Sequence, residues 1–584
     1  MTDEQVAESL EQIAQILQIE GADVFRRRSY ERAAEAVRGL GRSLVEIRET
    51  EPKGLQSIPG IGEAISKKIE EMLDTGELAY LNEMLEHYPP GFLELLRIPG
   101  LGPSRAGLLY HELGIGSVDE LEEACVRGQV RELKGMGEKT EQKLLQSIER
   151  YWRGMERALL GEVLPRAEAL VEMVRALPAV ERADFAGSVR RAKETVGDLD
   201  LLATARDQAA VCRAFAESGA LSAVELSGDT KVSGRLHGGR QMDLRVVEPE
   251  SYGAALVYFT GSQQHNIRLR ERGQSLKLKV NEYGVFRGGK DGPEGERVAG
   301  ETEESVYAAL GLAWIPPELR EDRGEIQAAA TGELPDLIDI GDIRADLHMH
   351  TTASDGRASI AEYAEAAMKR GFTHIGITDH SPALVIARGI GADSLRRQRD
   401  EIDALNARYE AEGRDFRVLL GSEADILMDG AVDASAEALE VVDYVIGAIH
   451  QGFSQDGERI TGRITQALES GVIDILAHPT GRLLLRRDPY AVDISAVIDV
   501  AAKHDVALEI NASYDRLDLS DVHSRLARER GALLAINTDS HSLGEFDLLR
   551  YGVLTARRGW VEAEGVINTW PLPRLQEWLA KRRG

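Results

Sequence analysis

Cysteine is almost absent from this chain: its 584 residues include only Cys125 and Cys212, far apart. That excludes a disulfide framework and a thiolate zinc site, and it fits a reducing cytoplasm. Net positive charge is missing too. With 70 Lys and Arg against 98 Asp and Glu the formal net charge is −28, so any polyanionic partner has to be met by a few local grooves. No uncharged apolar run is long enough to span a bilayer, so no membrane partner is expected. The acidic, helix-patterned stretch from Met1 to Leu17 lacks the basic start and apolar centre of a signal peptide. What remains is a globular composition too long for one core, predicting about three to five domains of about 100 to 200 residues.

Local charge departs from the total. From Lys231 to Lys290, 11 Lys plus Arg stand against 5 Asp plus Glu. Just upstream lies Phe185-Ala186-Gly187-Ser188-Val189-Arg190-Arg191, followed by Asp198-Leu199-Asp200. Gly187 and Ser188 suit a tight turn whose N–H groups and hydroxyl hold a phosphate, with Arg190 and Arg191 behind them. On a strand, the alternation of Asp198, Leu199 and Asp200 puts both carboxylates on one face and the leucine in the core. Like charges so placed repel unless cations sit between them, and Mg²⁺ held by carboxylates plus substrate phosphates resolves the conflict. Asp243, in Gln241-Met242-Asp243-Leu244-Arg245, supplies the third carboxylate that a two-metal phosphoryl-transfer site needs.

This Gly-Ser, Asp-x-Asp, Asp pattern resembles the nucleotidyltransferase superfamily, and its spacing is similar to family X DNA polymerases of the polymerase beta type. Tyr258-Phe259-Thr260-Gly261-Ser262 resembles the family's sugar-sensing thumb motif, and Asn266 and Arg268 its contacts near the templating base. Asn281-Glu282-Tyr283-Gly284 resembles its thumb strand. The resemblance implies that Asp198 and Asp200 bind two Mg²⁺ or Mn²⁺ ions and that Asp243 helps activate the primer 3′ hydroxyl. It also implies that Gly187, Ser188, Arg191, Tyr258, Phe259, Gly261 and Asn266 hold a deoxynucleoside triphosphate (dNTP). The turn through Gly238 and Gly239, and the segment after Ser262, look shorter than in polymerase beta, which bears on the minor-groove contacts and not on the aspartates.

Upstream, Val6, Leu10, Ile13, Ile16 and Leu17 recur at helical spacing, and Phe25-Arg26-Arg27-Arg28-Ser29-Tyr30 opens the next helix with a basic cluster. Ile58-Pro59-Gly60-Ile61-Gly62 returns as Ile98-Pro99-Gly100-Leu101-Gly102, and more loosely as Leu133-Lys134-Gly135-Met136-Gly137. An apolar residue, Gly-x-Gly and an amphipathic helix form an internal repeat that resembles the helix-hairpin-helix. Its glycines allow N–H groups at the next helix start to face a DNA phosphate, which positions DNA without reading its sequence. By resemblance, the first 85 residues are similar to the family's lyase domain, whose nucleophilic lysine falls on Lys68. Lys67 offers a neighbouring cation that would depress its pKa, although the pair also suits plain phosphate contact.

From Arg344 onward, short apolar runs repeatedly end in metal-binding residue types: His348, His350, Asp355, His380, Glu423, His450, His478, Asp539 and His541. Helix-like stretches alternate with them, for example Ser359 to Arg370 and Ser495 to His504. About seven such units predict a closed parallel barrel with ligands converging at the strand carboxyl ends. The nine positions resemble the polymerase and histidinol phosphatase (PHP) domain, whose site holds up to three ions; His374, His504 and His523 fall outside the pattern. Nitrogen and oxygen ligands suit Mn²⁺, with Zn²⁺ or Fe²⁺ as alternatives, and such a cluster hydrolyses phosphoesters.

The expected architecture is multidomain α and α/β. It comprises a helical lyase-like domain at 1–85, helical DNA-binding fingers at 86–150, an α+β palm at 151–249 and a thumb at 250–318. A linker at 319–342, open to packing on either neighbour, and a (β/α)7 PHP barrel at 343–584 follow. The resemblance implies a monomeric, cytoplasmic repair polymerase acting on gapped or primer-template DNA with dNTPs. It further implies a 3′ to 5′ exonuclease and extends to abasic-site cleavage. A small-molecule phosphoesterase fused to a nucleotidyltransferase, and a DNA-binding scaffold with inactive sites, are the rival readings.

Overall fold

The computed structural model describes residues 1, 3–38, 44–50, 53–85, 87–89, 91–98, 100–237, 239–288 and 295–583. Pro99 and Gly238 of the motifs above, residue 86 at the expected second domain edge, and Lys290 lie outside them. The chain divides into two compact units, Met1–Met155 and Glu156–Gly584. The edges expected at 249, 318 and 342 therefore fall inside one unit. Among the described residues no helix is long and apolar enough to cross a membrane.

The first unit is helical. Val6, Leu10, Ile13, Ile16 and Leu17 of helix Asp3–Ile19 are buried, as their spacing predicts, against helices that include Val24–Arg38 and Glu63–Thr75. The three Gly-x-Gly copies make the same turn. Gly60, Gly100 and Gly135 have φ of 92°, 87° and 85°, values that favour glycine. In each, the residue after that glycine donates to the carbonyl three residues back, at 3.1, 3.0 and 3.0 Å. Helices Glu63–Thr75, Pro103–Leu113 and Glu138–Glu156 follow directly.

The second unit begins with a five-stranded sheet in the order Arg182–Phe185, Leu199–Thr204, Gln241–Val247, Lys231–Leu236, Leu221–Ser227. In the strand Gln241–Val247, Met242, Leu244 and Val246 are buried, Asp243, Arg245 and Val247 are half-buried and Gln241 is exposed. This period-two pattern turns Asp243 away from the core. Helices Leu160–Arg175 and Gln208–Ala216 cover the apolar face. Three short strands, Leu278–Asn281, Gly284–Arg287 and Arg297–Ala299, pack with helices Tyr252–Thr260 and Glu303–Ala309 into a smaller α+β layer.

The segment expected as a linker is packed. It forms helix Glu325–Thr331, and its Leu319, Ala328 and Ala329 join the core of that smaller layer. Arg320 is fully buried against Glu303 at 2.8 Å, and Glu325 pairs with buried His265 at 2.7 Å. These charged residues are buried as pairs, and removing one partner would leave an uncompensated buried charge.

Seven parallel strands then run in sequence order: Ala345–Asp346, His374–Ile377, Arg417–Asp425, Tyr444–Ala448, Ile475–Leu476, Ala507–Asn511 and Leu534–Asn537. A parallel bridge between Met349 and Ser540, with His350 N donating to Ser540 O at 2.8 Å, joins the first strand to the seventh at their carboxyl ends. The strand Tyr444–Ala448 is buried throughout, as expected where helices cover a parallel sheet. The helix expected from Ser359 spans Ile360–Lys369, with Ser359 and Glu362 forming its capping box.

The barrel and the five-stranded sheet share a core. Leu484, Leu517 and Tyr551 pack among the apolar residues of the sheet. A Cβ at Gly161 would lie 2.2 Å from Tyr514 Cγ, so the helix touches the barrel through its bare backbone.

Candidate active sites

On the five-stranded sheet, Asp200 and Asp243 are direct partners on adjacent parallel strands. Asp198 precedes the strand start at Leu199 and is exposed, while Leu199 is fully buried. Burial, and then the carboxylates of Asp198 and Asp243, push Asp200 up to about 6. Lys231 Nζ sits 2.7 Å from Asp243 Oδ2, whereas Asp243 Oδ1 is buried with no hydrogen-bond partner. An acidic cluster that strains its own ionisation, with an orphaned oxygen, fits divalent cations. Among the described residues, however, these three carboxylates do not close to the 4.8 Å mutual spacing of the barrel clusters below.

The Gly187–Arg190 turn lies against this edge. Gly187 has φ 62°, and a Cβ there would meet Asp200 Oδ2 at 2.8 Å, so only glycine lets the turn approach the carboxylate. Ser188 Oγ is buried and unpartnered. The two arginines differ. Arg190, expected beside the phosphate, is committed to Glu303 at 2.7 and 2.9 Å and to Thr260 Oγ1 at 2.8 Å, which makes it structural. Arg191 donates from Nε to Glu321 Oε1 at 3.0 Å and from Nη1 to Thr260 O at 2.5 Å.

The remaining expected dNTP contacts fall on helix Tyr252–Thr260, at Gly261 after it, and on helix Gln263–Ser275. Tyr258 is half-exposed, and Arg245 stacks over Phe259 at 4.5 Å. Asn266 Nδ2 donates to Tyr258 O at 2.7 Å, and Gly261 takes φ 71°. Arg268 is paired with Asp322 at 3.0 Å and Glu271 at 3.1 Å.

At the carboxyl end of the barrel, the nine His, Asp and Glu side chains converge. Three groups have ligand atoms within 4.8 Å of one another: His350, Asp355, His380 and His541; His348, His350 and Asp539; and His380, Glu423 and His450. His478 joins them, its Nε2 3.4 Å from Glu423 Oε1. Sharp turns aim the side chains, with φ of 28° at His478 and 56° at Asp539. Glu423 is fully enclosed, yet the imidazoles of His380, His450 and His348 overcome burial and hold it well below the carboxylate range. Both Glu423 oxygens, His348 Nε2, His350 Nδ1 and His380 Nδ1 are buried without hydrogen-bond partners. Buried polar atoms are normally satisfied, so this concentration of orphaned N and O donors fits a multinuclear metal centre.

Sequence reasoning missed the residues that orient the imidazoles. His348 Nδ1 donates to Glu509 Oε1 at 2.7 Å, and His450 Nδ1 donates to Asp425 Oδ1 at 2.6 Å. His541 Nδ1 lies 2.9 Å from the Asp539 carbonyl. Each contact turns Nε2 towards the cluster, as partners of metal-ligating histidines do. Asp425 had a local signal, since it lies two residues beyond Glu423 on one strand and so shares its face. His374, set aside earlier, sits at the opposite, amino end of its strand, and burial lowers it to about 4.

In the first unit, Cβ atoms at Gly62, Gly100, Gly102, Gly135 and Gly137 would meet nothing within 4 Å, and at Gly60 the nearest atom lies at 3.8 Å. The turns therefore present bare backbone. Burial lowers Lys68, whose Nζ lies 3.9 Å from the Tyr80 ring. The expected helper was wrong: Lys67 reaches Glu63 at 2.7 Å, and Arg26 is the cation that lowers Lys68.

Comparison with known proteins gives matches along the chain. A helix-hairpin-helix domain model matches residues 1–78 and a SAM-like helix-hairpin-helix tandem 92–150. The DNA polymerase beta thumb matches 255–321 and the PHP domain 346–513. The chain is 38% identical over 574 residues to the DNA polymerase/3'-5' exonuclease PolX of Bacillus subtilis (strain 168), covering 98% of both. It is also 31% identical over 224 residues, 35% of this chain and 81% of the relative, to the probable phosphatase YcdX of Shigella dysenteriae serotype 1 (strain Sd197).

Proposed function

Because the chain belongs to the family X DNA polymerases that carry a C-terminal PHP domain, we propose that it is a DNA-directed DNA polymerase and a 3′ to 5′ exonuclease. It fills short gaps during repair and trims 3′ ends. The observation that carries this reading is the presence, in one compact unit, of two separate ligand sets that share no residue. In domain terms, 1–85 is lyase-like, 86–150 the fingers, 151–249 the palm, 250–318 the thumb, 319–342 a packed strap and 343–584 the PHP nuclease.

In the palm, Asp198, Asp200 and Asp243 would hold two Mg²⁺ or Mn²⁺ ions, and the nine barrel residues up to three Mn²⁺, Zn²⁺ or Fe²⁺ ions. Such cations, when bound, neutralise phosphoryl oxygens and acidify water. The chain's own residues do the positioning. The Gly187–Ser188 turn and the Arg191 guanidinium bind the triphosphate, and Tyr258, Phe259, Gly261 and Asn266 border its sugar and base. Asp243, with one buried oxygen unpaired, accepts the proton of the primer 3′ hydroxyl. In the barrel, Glu509 and Asp425 fix the tautomers of His348 and His450 so that Nε2 faces the metal-binding cluster. The Gly-x-Gly turns grip the DNA backbone, and Arg268 approaches the template once it leaves Asp322.

The match of about a third of the chain to a probable phosphatase favours a second reading for the barrel alone, hydrolysis of small phosphate monoesters. A gapped duplex with a labelled primer decides between them. Asp198→Ala with Asp200→Ala should abolish extension and leave DNA hydrolysis, and His348→Ala with His350→Ala should do the reverse. If the folded His pair variant still degrades the primer, or the wild type turns over only a small monoester, the barrel is not the nuclease.

A further inference from the structure

Where the barrel meets the palm, a buried charge cluster remains that neither reaction has yet used. Arg558, on the barrel helix Leu549–Arg558, is 4% exposed and serves three partners. Its Nη1 donates to Arg191 O at 2.5 Å and lies 3.1 Å from Glu321 Oε1, while Nη2 donates to Asp521 Oδ2 at 2.7 Å. Glu321 Oε1 accepts in turn from Arg191 Nε at 3.0 Å. From the strap, Arg323 reaches the same Asp521 oxygen at 3.0 Å, and Arg525 of the barrel donates to Arg323 O at 2.7 Å.

This arrangement acts on Arg191 in two ways. A guanidinium is planar, so holding Nε on Glu321 and Nη1 on Thr260 O sets the direction in which Nη2 points. Among the described residues, no hydrogen bond uses Nη2. The second effect is on charge. Glu321 is one carboxylate between two guanidiniums, so Arg558 takes part of its field and leaves Arg191 with positive potential to offer an anion. Without Arg558, Glu321 would divide its charge only between Arg191 and Lys193 and so bear more strongly on Arg191, and the Arg191 carbonyl beside the phosphate turn would lose its anchor.

We infer that Arg558, a residue of the nuclease barrel, is a positioning residue of the polymerase: it holds Arg191 and screens Glu321 so that Arg191 binds the dNTP triphosphate. The inference rests on the assignment of Arg191 to the triphosphate given above. It makes the barrel a structural part of the dNTP site, beyond its own hydrolytic role.

The test is steady-state gap filling with one dNTP and Mg²⁺ by the full-length wild type, Arg558→Ala, Arg191→Ala and the double variant. Primer hydrolysis without dNTP serves as the control for an intact barrel. Arg558→Ala should raise the dNTP KM about tenfold, the scale of one charge-assisted hydrogen bond, with kcat and primer hydrolysis essentially unchanged. Adding Arg558→Ala to Arg191→Ala should raise KM no further, because the effect runs through Arg191. Arg558→Lys keeps a charge for Asp521 but cannot span three partners, and it should give a smaller rise; it replaces Arg558→Ala in the cycle if that variant does not fold. A KM unchanged by Arg558 substitution while Arg191→Ala raises it, or additive effects in the double variant, overturn the inference. If Arg191→Ala itself leaves KM unaltered, the triphosphate assignment fails first and the inference with it.

Discussion

Glu509 and His348 stand 161 positions apart in the chain, yet Glu509 Oε1 lies 2.7 Å from His348 Nδ1, with both side chains fully buried. A second Glu509 oxygen accepts from His478 N at 2.8 Å, so one carboxylate orients two candidate ligands. Glu509→Gln should keep the volume but weaken the imidazole's hold on a cation by about 10- to 100-fold. Primer hydrolysis should fall and recover at high Mn²⁺, while gap filling stays at the wild-type rate. Equal loss of both activities would mean that Glu509 supports the fold and not the hydrolytic centre.

The charge cluster between barrel and palm should lose part of its stabilising effect in acid. Burial alone would raise Asp521, but Arg558, Arg323 and Lys193 bring it down to about 2 from the ordinary 3.8. A carboxylate depressed in the folded state contributes stability that is complete above about pH 4 and is lost as pH falls towards 2. The contribution is about 2 kcal/mol. Thermal melting from pH 7 to 3 should show Asp521→Asn less stable than wild type at neutral pH, with the gap narrowed to roughly half at the acid end. A gap that does not narrow on acidification would rule out the ion pairs as its source.

Gly161 tests the apolar part of the same junction. Any side chain there enters Tyr514, whose Cγ would be 2.2 Å from the new Cβ. Gly161→Val should cost about 1–3 kcal/mol through overpacking. The paired change Gly161→Ala with Tyr514→Ala should recover part of that loss, read from denaturant midpoints. No recovery would place the damage within the helix Leu160–Arg175 itself.

Gly100→Val with Gly102→Val probes the phosphate-facing turns. Gly100 has φ 87°, and both positions open onto free space, so added side chains strain the turn and cover its N–H groups. Affinity for a gapped duplex should drop about tenfold or more, with turnover on saturating DNA retained and a shallower salt dependence. Unchanged binding across several salt concentrations would argue against a phosphate cradle.

Much of both candidate sites was legible because their residues carry short-range signals. Asp243 shows itself by alternating with buried Met242 and Leu244, and His380 and Glu423 by closing apolar runs that can only be inner strands. The Gly-x-Gly turns read clearly for the same reason, since φ near 90° restricts the residue type locally. The packing of the strap was less legible, because Arg320 and Glu325 are charged residues in a stretch of low apolar periodicity. Their burial depends on Glu303 and His265, which the sequence places far away.

Periodicity, turn chemistry and strand order act over a few residues, so the elements, the seven-stranded barrel, the Gly-Ser turn and the side chains near the barrel strand ends could be read along the chain. That Arg190 serves Glu303 while Arg191 keeps a free edge, that Glu509 and Asp425 steer the imidazoles, and that Arg558 reaches the palm followed from the folded arrangement. Those roles depend on which charge faces which across a buried junction, and the low dielectric there makes the pairing selective at distances the chain order does not record.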